Sequence, residues 1–186
     1  RIASYPTGKG QLSEAIRSLI VKCQKAGVDL RCGVEADEAL LRSLSPDAVI
    51  LATGSTPLVL PIPGLDACGY VTAQAMLEGK APVGRKVLVV GGGMVGCEAA
   101  EYLAERGHEV AIVEMKEEIA ADVTPENRRY MFANFEEHHV LLRPGAKVGR
   151  FYSDGVDYTL ADGAVGSLRG HDSVVLAMGS RSNAAL

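Results

Sequence analysis

The stretch Val87-Leu88-Val89-Val90-Gly91-Gly92-Gly93-Met94-Val95-Gly96 decides how this chain is read. Four apolar residues form a strand, Lys86–Val90. Gly91, Gly93 and Gly96 then fill the three positions of G-x-G-x-x-G, and a helix follows from about Met94 to Arg106. With 21 glycines in 186 residues the pattern alone is weak, so its surroundings have to support it. A second strand over 109–114 ends in an acid, Glu114, about 20 residues after Gly91, the spacing of a dinucleotide-binding β-α-β unit.

Each residue has a physical part in that reading. Gly91 permits the tight turn out of the strand, and Gly93 leaves the backbone open to a pyrophosphate. Gly96 allows the helix to pack closely on the strand, with Gly92 completing the loop. The N–H groups near Met94 and Val95, at the positive end of the helix dipole, are placed to receive phosphate charge. Glu114 is placed to accept from the adenosine ribose hydroxyls and to repel a 2′-phosphate, which favours NADH over NADPH. Lys116 lies close enough to soften that preference. Glu98 reads as a first-turn acid stabilised by the dipole. Two further glycine turns, Ala52-Thr53-Gly54 and Met178-Gly179, each end an apolar run, where open α/β sheets place a ligand crevice.

Outward from this unit, helical spacing puts Leu12, Ile16, Leu19, Ile20 and Cys23 on one face of a helix over 11–26. Strands are expected over 28–34 and 48–52. The proline-rich stretch Pro57–Gly64 reads as a connection, followed by a short helix near Thr72–Leu77. Thr124-Pro125-Glu126 predicts a helix with a hydroxyl cap, its buried side formed by Met131, Phe132 and Phe135. Asp154-Gly155 and Asp162-Gly163 predict a three-stranded meander, and a last strand runs over 172–177.

Composition excludes several classes. A net charge of −4 and a pI near 5.6 argue against a general affinity for nucleic acid or anionic membrane. No apolar run is long enough to span a bilayer, no secretory signal opens the chain, and a cytoplasmic location is expected. Cys23, Cys32, Cys68 and Cys97 have neither redox C-x-x-C nor zinc spacing, so they read as mostly buried free thiols, with no metal site. Arg1 is not an initiator, which suggests a piece of a longer protein.

Four stretches resemble the two-flavin NADH:flavin oxidoreductases, the family of 2,4-dienoyl-CoA reductase, 2-enoate reductase and trimethylamine dehydrogenase. They are Ala48-Val-Ile-Leu-Ala-Thr-Gly-Ser-Thr-Pro57, Gly79-Lys-Ala-Pro-Val-Gly-Arg-Lys-Val87, Val89-Val-Gly-Gly-Gly-Met-Val-Gly-Cys-Glu98 and Val113-Glu-Met-Lys-Glu-Glu-Ile119. The resemblance implies a pyridine nucleotide-disulfide oxidoreductase-like fold. It also implies an enzyme in which NADH reduces FAD, and an iron–sulfur cluster and FMN in a missing N-terminal region complete the path to an enoate or enoyl thioester. By the same resemblance Ala52-Thr53-Gly54 lie beside FAD, with Glu98 and Gly179 near the nicotinamide. The family's flavin domain opens with its own glycine fingerprint, and this chain carries only the one at 91–96.

The expected architecture is therefore α/β: a Rossmann-like doubly wound parallel sheet, helices on both faces, with a β-meander. Residues 73–172 form the NADH-binding domain, and 1–72 with 173–186 form a partial FAD-binding domain. The reading is an NADH-binding module that passes hydride to FAD, inactive alone. The other reading is a structural ADP-binding module without hydride transfer.

Overall fold

The structure is a computed structural model that describes residues 2–184; Arg1 and residues 185–186, the extreme ends of the expected FAD-type part, lie outside the described residues. A 3-10 turn, Ile2–Ser4, precedes helices α1 (Leu12–Lys25) and α2 (Glu38–Leu44). Then come β1 (Ser55–Pro57), β2 (Val71–Thr72), α3 (Ala73–Leu77), β3 (Lys86–Val90), α4 (Met94–Ala104), β4 (Glu109–Val113) and α5 (Pro125–Glu137). The chain continues through β5 (Leu141–Arg143), β6 (Lys147–Tyr152), β7 (Gly155–Thr159), β8 (Val165–Leu168), β9 (Ser173–Leu176) and β10 (Ser180–Ser182).

The core is a five-stranded parallel sheet in the order β2-β9-β3-β4-β5. Val89 stands level with Ile112 of β4 and Val175 of β9. Both faces of β3 are buried, as its unbroken Val/Leu run requires of a central parallel strand. Alternate residues serve different layers. Val87 and Val89 pack with Ala99, Ala100 and Leu103 of α4 and Phe135 of α5. Leu88 and Val90 pack with Phe151, Val156 and Tyr158 of the β6-β7-β8 meander. Helices thus cover one face and the meander the other, which corrects the expectation of helices on both. Each fully buried Val or Leu here contributes roughly 1.5–3 kcal/mol relative to exposure.

The sheet runs across the expected domain boundaries at 72/73 and 172/173. Val71–Thr72 and Ser173–Leu176 are both members of it, with β9 between β2 and β3. After β9, Ser180–Ser182 pairs antiparallel with Ser55–Pro57 in a separate two-stranded sheet.

Two expected strands are absent. Residues 28–34 and 48–52 are described but unpaired and exposed, Ile50 to 91%. A strand needs a neighbour for its N–H and C=O groups, and no described strand runs beside either stretch. Helix α1 forms where its spacing predicts, but Leu12, Leu19 and Ile20 on its apolar face are exposed. Thr124 does stand at the N-cap of α5, with Pro125 next, yet its hydroxyl makes no cap hydrogen bond. Of the four thiols only Cys97 is buried, against the expectation for most of them.

Candidate nucleotide-binding site

Strand β3 ends at Val90, and the chain turns at Gly91 with φ +107°, a conformation that side-chain-bearing residues rarely adopt. Gly91 N–H donates to Val113 O at 2.9 Å, and Ala177 N–H donates to Val90 O at 2.8 Å, so the ladder holds the turn from both neighbours. A Cβ on Gly91 would lie 2.3 Å from Ala177 O. On Gly96 it would lie 1.9 Å from Gly91 O, so α4 can approach the turn only without a side chain there. Gly93 differs, because the nearest atoms to a Cβ built on it are the Asp122 carboxylate oxygens, 3.4 and 3.6 Å away.

Gly91, Gly92, Gly93, Met94, Val95, Glu114, Met178 and Gly179 line one cavity of about 370 Å³. It opens at the carboxyl ends of β3 and β9, on whose two sides the strand order runs in opposite directions, the place where open parallel sheets hold ligands. Leu60, Ile62, Val113, Ala146 and Val148 add an apolar wall, and Lys116 and Lys147 stand at its polar side. This volume falls within the range of small-molecule sites.

Glu114 is the one charged residue that is buried among those described. Its Oε2 accepts from Gly92 N–H at 2.5 Å and its Oε1 from Lys116 N–H at 2.8 Å. The carboxylate therefore ties the end of β4 to the glycine turn, a role the spacing argument did not contain. Each oxygen still has a lone-pair direction left for a hydroxyl donor.

Glu98 is not a solvated first-turn acid. Its side chain is 13% exposed and ion-paired with Lys9, which arrives from the N-terminal segment. That segment also brings Thr7 Oγ1 to Glu105 Oε2 at 2.6 Å and packs Tyr5 on the helix-side core. Glu98, Lys9, Met94, Val95 and Gly179 line a second cavity of about 330 Å³. One turn further along α4, Glu101 has its pKa raised by burial first and by Glu105 and Glu98 beside it.

Ala52-Thr53-Gly54 are not brought to either cavity. They are exposed, and the Thr53 hydroxyl and Gly54 carbonyl bond instead to Asn183. Asp122 and Lys9 are site residues that the sequence reading missed. Asp122 Oδ1 accepts from Met94 N–H at 2.9 Å, at the N-terminus of α4. Its only sequence signal is an acid shortly before a helix start, which ordinarily reads as a cap for the helix that follows. Among the described residues no group of His, Cys, Asp or Glu could hold a metal, and no helix is long and apolar enough to cross a membrane.

A parallel sheet whose central strand leads through a glycine turn into a helix, with a ligand-sized cavity at its switch point, defines an α/β domain of the nucleotide-binding class. Residues 11–186 match the pyridine nucleotide-disulphide oxidoreductase family, and the chain belongs to it. Among relatives, a bilirubin reductase of Mediterraneibacter gnavus is 39% identical over 182 residues, covering 98% of this chain and 28% of that protein. An NADH oxidase of Thermoanaerobacter brockii is 40% identical, covering 96% and 28%. A solved 2-naphthoyl-CoA reductase in complex with 2-naphthoyl-CoA superposes with a TM-score of 0.88 at 28% identity, over 100% of this chain and 28% of that one. The chain thus spans a little over a quarter of these relatives. The relationship to NADH:flavin oxidoreductases read from the four stretches agrees with them.

Proposed function

We propose that this chain is the NADH-binding region of a longer flavin-dependent oxidoreductase acting on an unsaturated or thioester substrate. The observation that carries the reading is the cavity at the end of β3, where Gly91–Val95 and Glu114 meet. Bound there, NADH supplies a hydride for a flavin. The chain's own residues hold and aim it. The glycine turn and the N-terminus of α4 take the pyrophosphate. Glu114, already fixed by Gly92 and Lys116, takes the ribose hydroxyls. Met94, Val95 and Gly179, which line both cavities, lead the nicotinamide end toward Glu98 and Lys9.

FAD fits the described residues poorly. Ala52-Thr53-Gly54 form no strand end, and among the described residues no second glycine turn joins a strand to a helix. FAD, FMN and the iron–sulfur cluster therefore belong, in this proposal, to other parts of the enzyme, and no step is drawn through them. An acidic chain with free thiols also fits a cytoplasmic protein.

Calorimetric titration of the chain with NADH and NADPH tests the reading. A hydrogen bond to a charged acceptor is worth roughly 1.5–3 kcal/mol, so NADH is expected to bind on the order of 10–100-fold tighter than NADPH. Gly93→Val should remove binding and leave the melting temperature nearly unchanged, because a Cβ at this position meets nothing nearer than the exposed Asp122 carboxylate at 3.4 Å. Unaltered affinity in a folded Gly93→Val chain would move the pyrophosphate elsewhere. ADP binding without any NADH-dependent flavin reduction in the longer enzyme would favour the structural ADP reading.

A further inference from the structure

The N-terminus of α4 already holds an anion. Gly93, its N-cap residue, has no side chain with which to cap the helix. The missing acceptor comes from Asp122, in the loop after β4, through the 2.9 Å bond to Met94 N–H. Both carboxylate oxygens stand 3.4–3.6 Å from the point where a Gly93 Cβ would be. That is the face a pyrophosphate would use to approach the backbone.

The loop that carries Asp122 is fixed to the glycine turn by its backbone. Ala120 N–H donates to Gly92 O at 2.7 Å, and Val123 N–H donates back to Ala120 O at 3.1 Å. Ile119 and Ala120 are buried, and Ala120 sits at φ +57°, turning the chain toward the glycine loop. Asp122 itself is exposed and lines the cavity. Its backbone is thus pinned to the phosphate turn, while the carboxylate is exposed and held through the Met94 amide, a bond that an incoming ligand can replace.

We propose that Asp122 is a built-in competitor for the pyrophosphate, occupying the Met94 amide until the dinucleotide displaces it, so that it weakens binding and speeds release. The inference rests on the nucleotide reading of this cavity. Two physical effects act together. The incoming phosphate must break a charge-assisted hydrogen bond, and its own negative charge then lies beside a displaced carboxylate. An asparagine keeps the size and the acceptor but removes the charge. Ligands without a phosphate have no reason to respond.

The test compares the chain with Asp122→Asn, and with Asp122→Ala as a second variant, using NADH, ADP-ribose and adenosine as probes. Folding is checked by circular dichroism. Asp122→Asn is expected to bind NADH and ADP-ribose about tenfold tighter, or roughly 1.4 kcal/mol, with correspondingly slower NADH release in stopped flow. Adenosine affinity should not change. Equal or weaker NADH binding by Asp122→Asn, with the original chain binding normally, overturns the competitor role and leaves the nucleotide reading standing. Tightening of adenosine to the same degree also overturns it, because the effect would not act on phosphate. Failure of both folded chains to bind NADH overturns both the competitor role and the nucleotide reading.

Discussion

Cys97 sits one residue past Gly96, on the buried side of α4, and its Sγ donates to Gly92 O at 3.3 Å. It therefore braces the glycine turn from beneath while Glu114 ties it from the sheet side. Burial pushes its thiol up to about 12, with Asp122 and Glu114 adding to the effect as nearby negative charges. An acid whose folded pKa lies above its unfolded value of 9.0 is deprotonated more readily by unfolding. Its stabilising contribution is complete below pH 9 and is lost as pH climbs from 9 toward 12. Native chain treated with iodoacetamide at pH 8 should be modified at exposed Cys32 and spared at Cys97. The alkaline loss of stability should be shallower in Cys97→Ala. Rapid alkylation of Cys97 in the folded chain would show that the turn opens far more often than this packing implies.

At the scale of elements, the parallel unit was legible because its periodicities and its packing agree. The apolar run of β3 is buried on both faces, and α4 begins at Met94, where the glycine pattern ends. The Asp-Gly pairs mark the β6-β7 and β7-β8 turns. What was not legible depends on neighbours. Residues 48–52 have a strand's composition and no strand to pair with, while two-residue β2 has little signal of its own and exists because β9 offers it a ladder. Glu114 was found by spacing, but its bonds to Gly92 and Lys116 follow from a turn whose geometry no spacing specifies. The same contrast separates α5 from α1. Phe135 is 2% exposed in the helix-side core, so Phe135→Ala should cost about 3–5 kcal/mol. Leu19→Ser and Ile20→Ser, on a more strongly periodic but uncovered face, should each stay within about 0.5 kcal/mol. Urea titrations of the three variants decide it, and a large loss at Leu19 would mean that α1 is covered in solution.

Across the whole molecule, the sheet divides the chain into parts of unequal completeness. From Tyr70 to Met178 the parallel strands, α3 to α5 and the meander enclose two apolar layers that meet at β3. Residues 10–60 contribute no strand to that sheet, and many of their apolar side chains, among them Val28, Leu30, Val49 and Ile50, are exposed. A flavin dinucleotide needs its own pyrophosphate cradle and a dry wall for the isoalloxazine ring. Among the described residues one glycine turn joins a strand to the start of a helix, Gly91–Gly93 between β3 and α4, and it belongs to the cavity assigned to NADH. The chain expressed alone should therefore be colourless after purification, while still binding NADH with a stoichiometry near one. Absorbance at about 450 nm after denaturation, read against protein concentration, measures this directly. A yellow preparation holding one FAD per chain would mean that residues 48–57 and 178–183 suffice as a flavin site. Added FAD should likewise fail to support NADH oxidation by this chain, since a hydride acceptor has to be held against the nicotinamide before proximity can accelerate transfer.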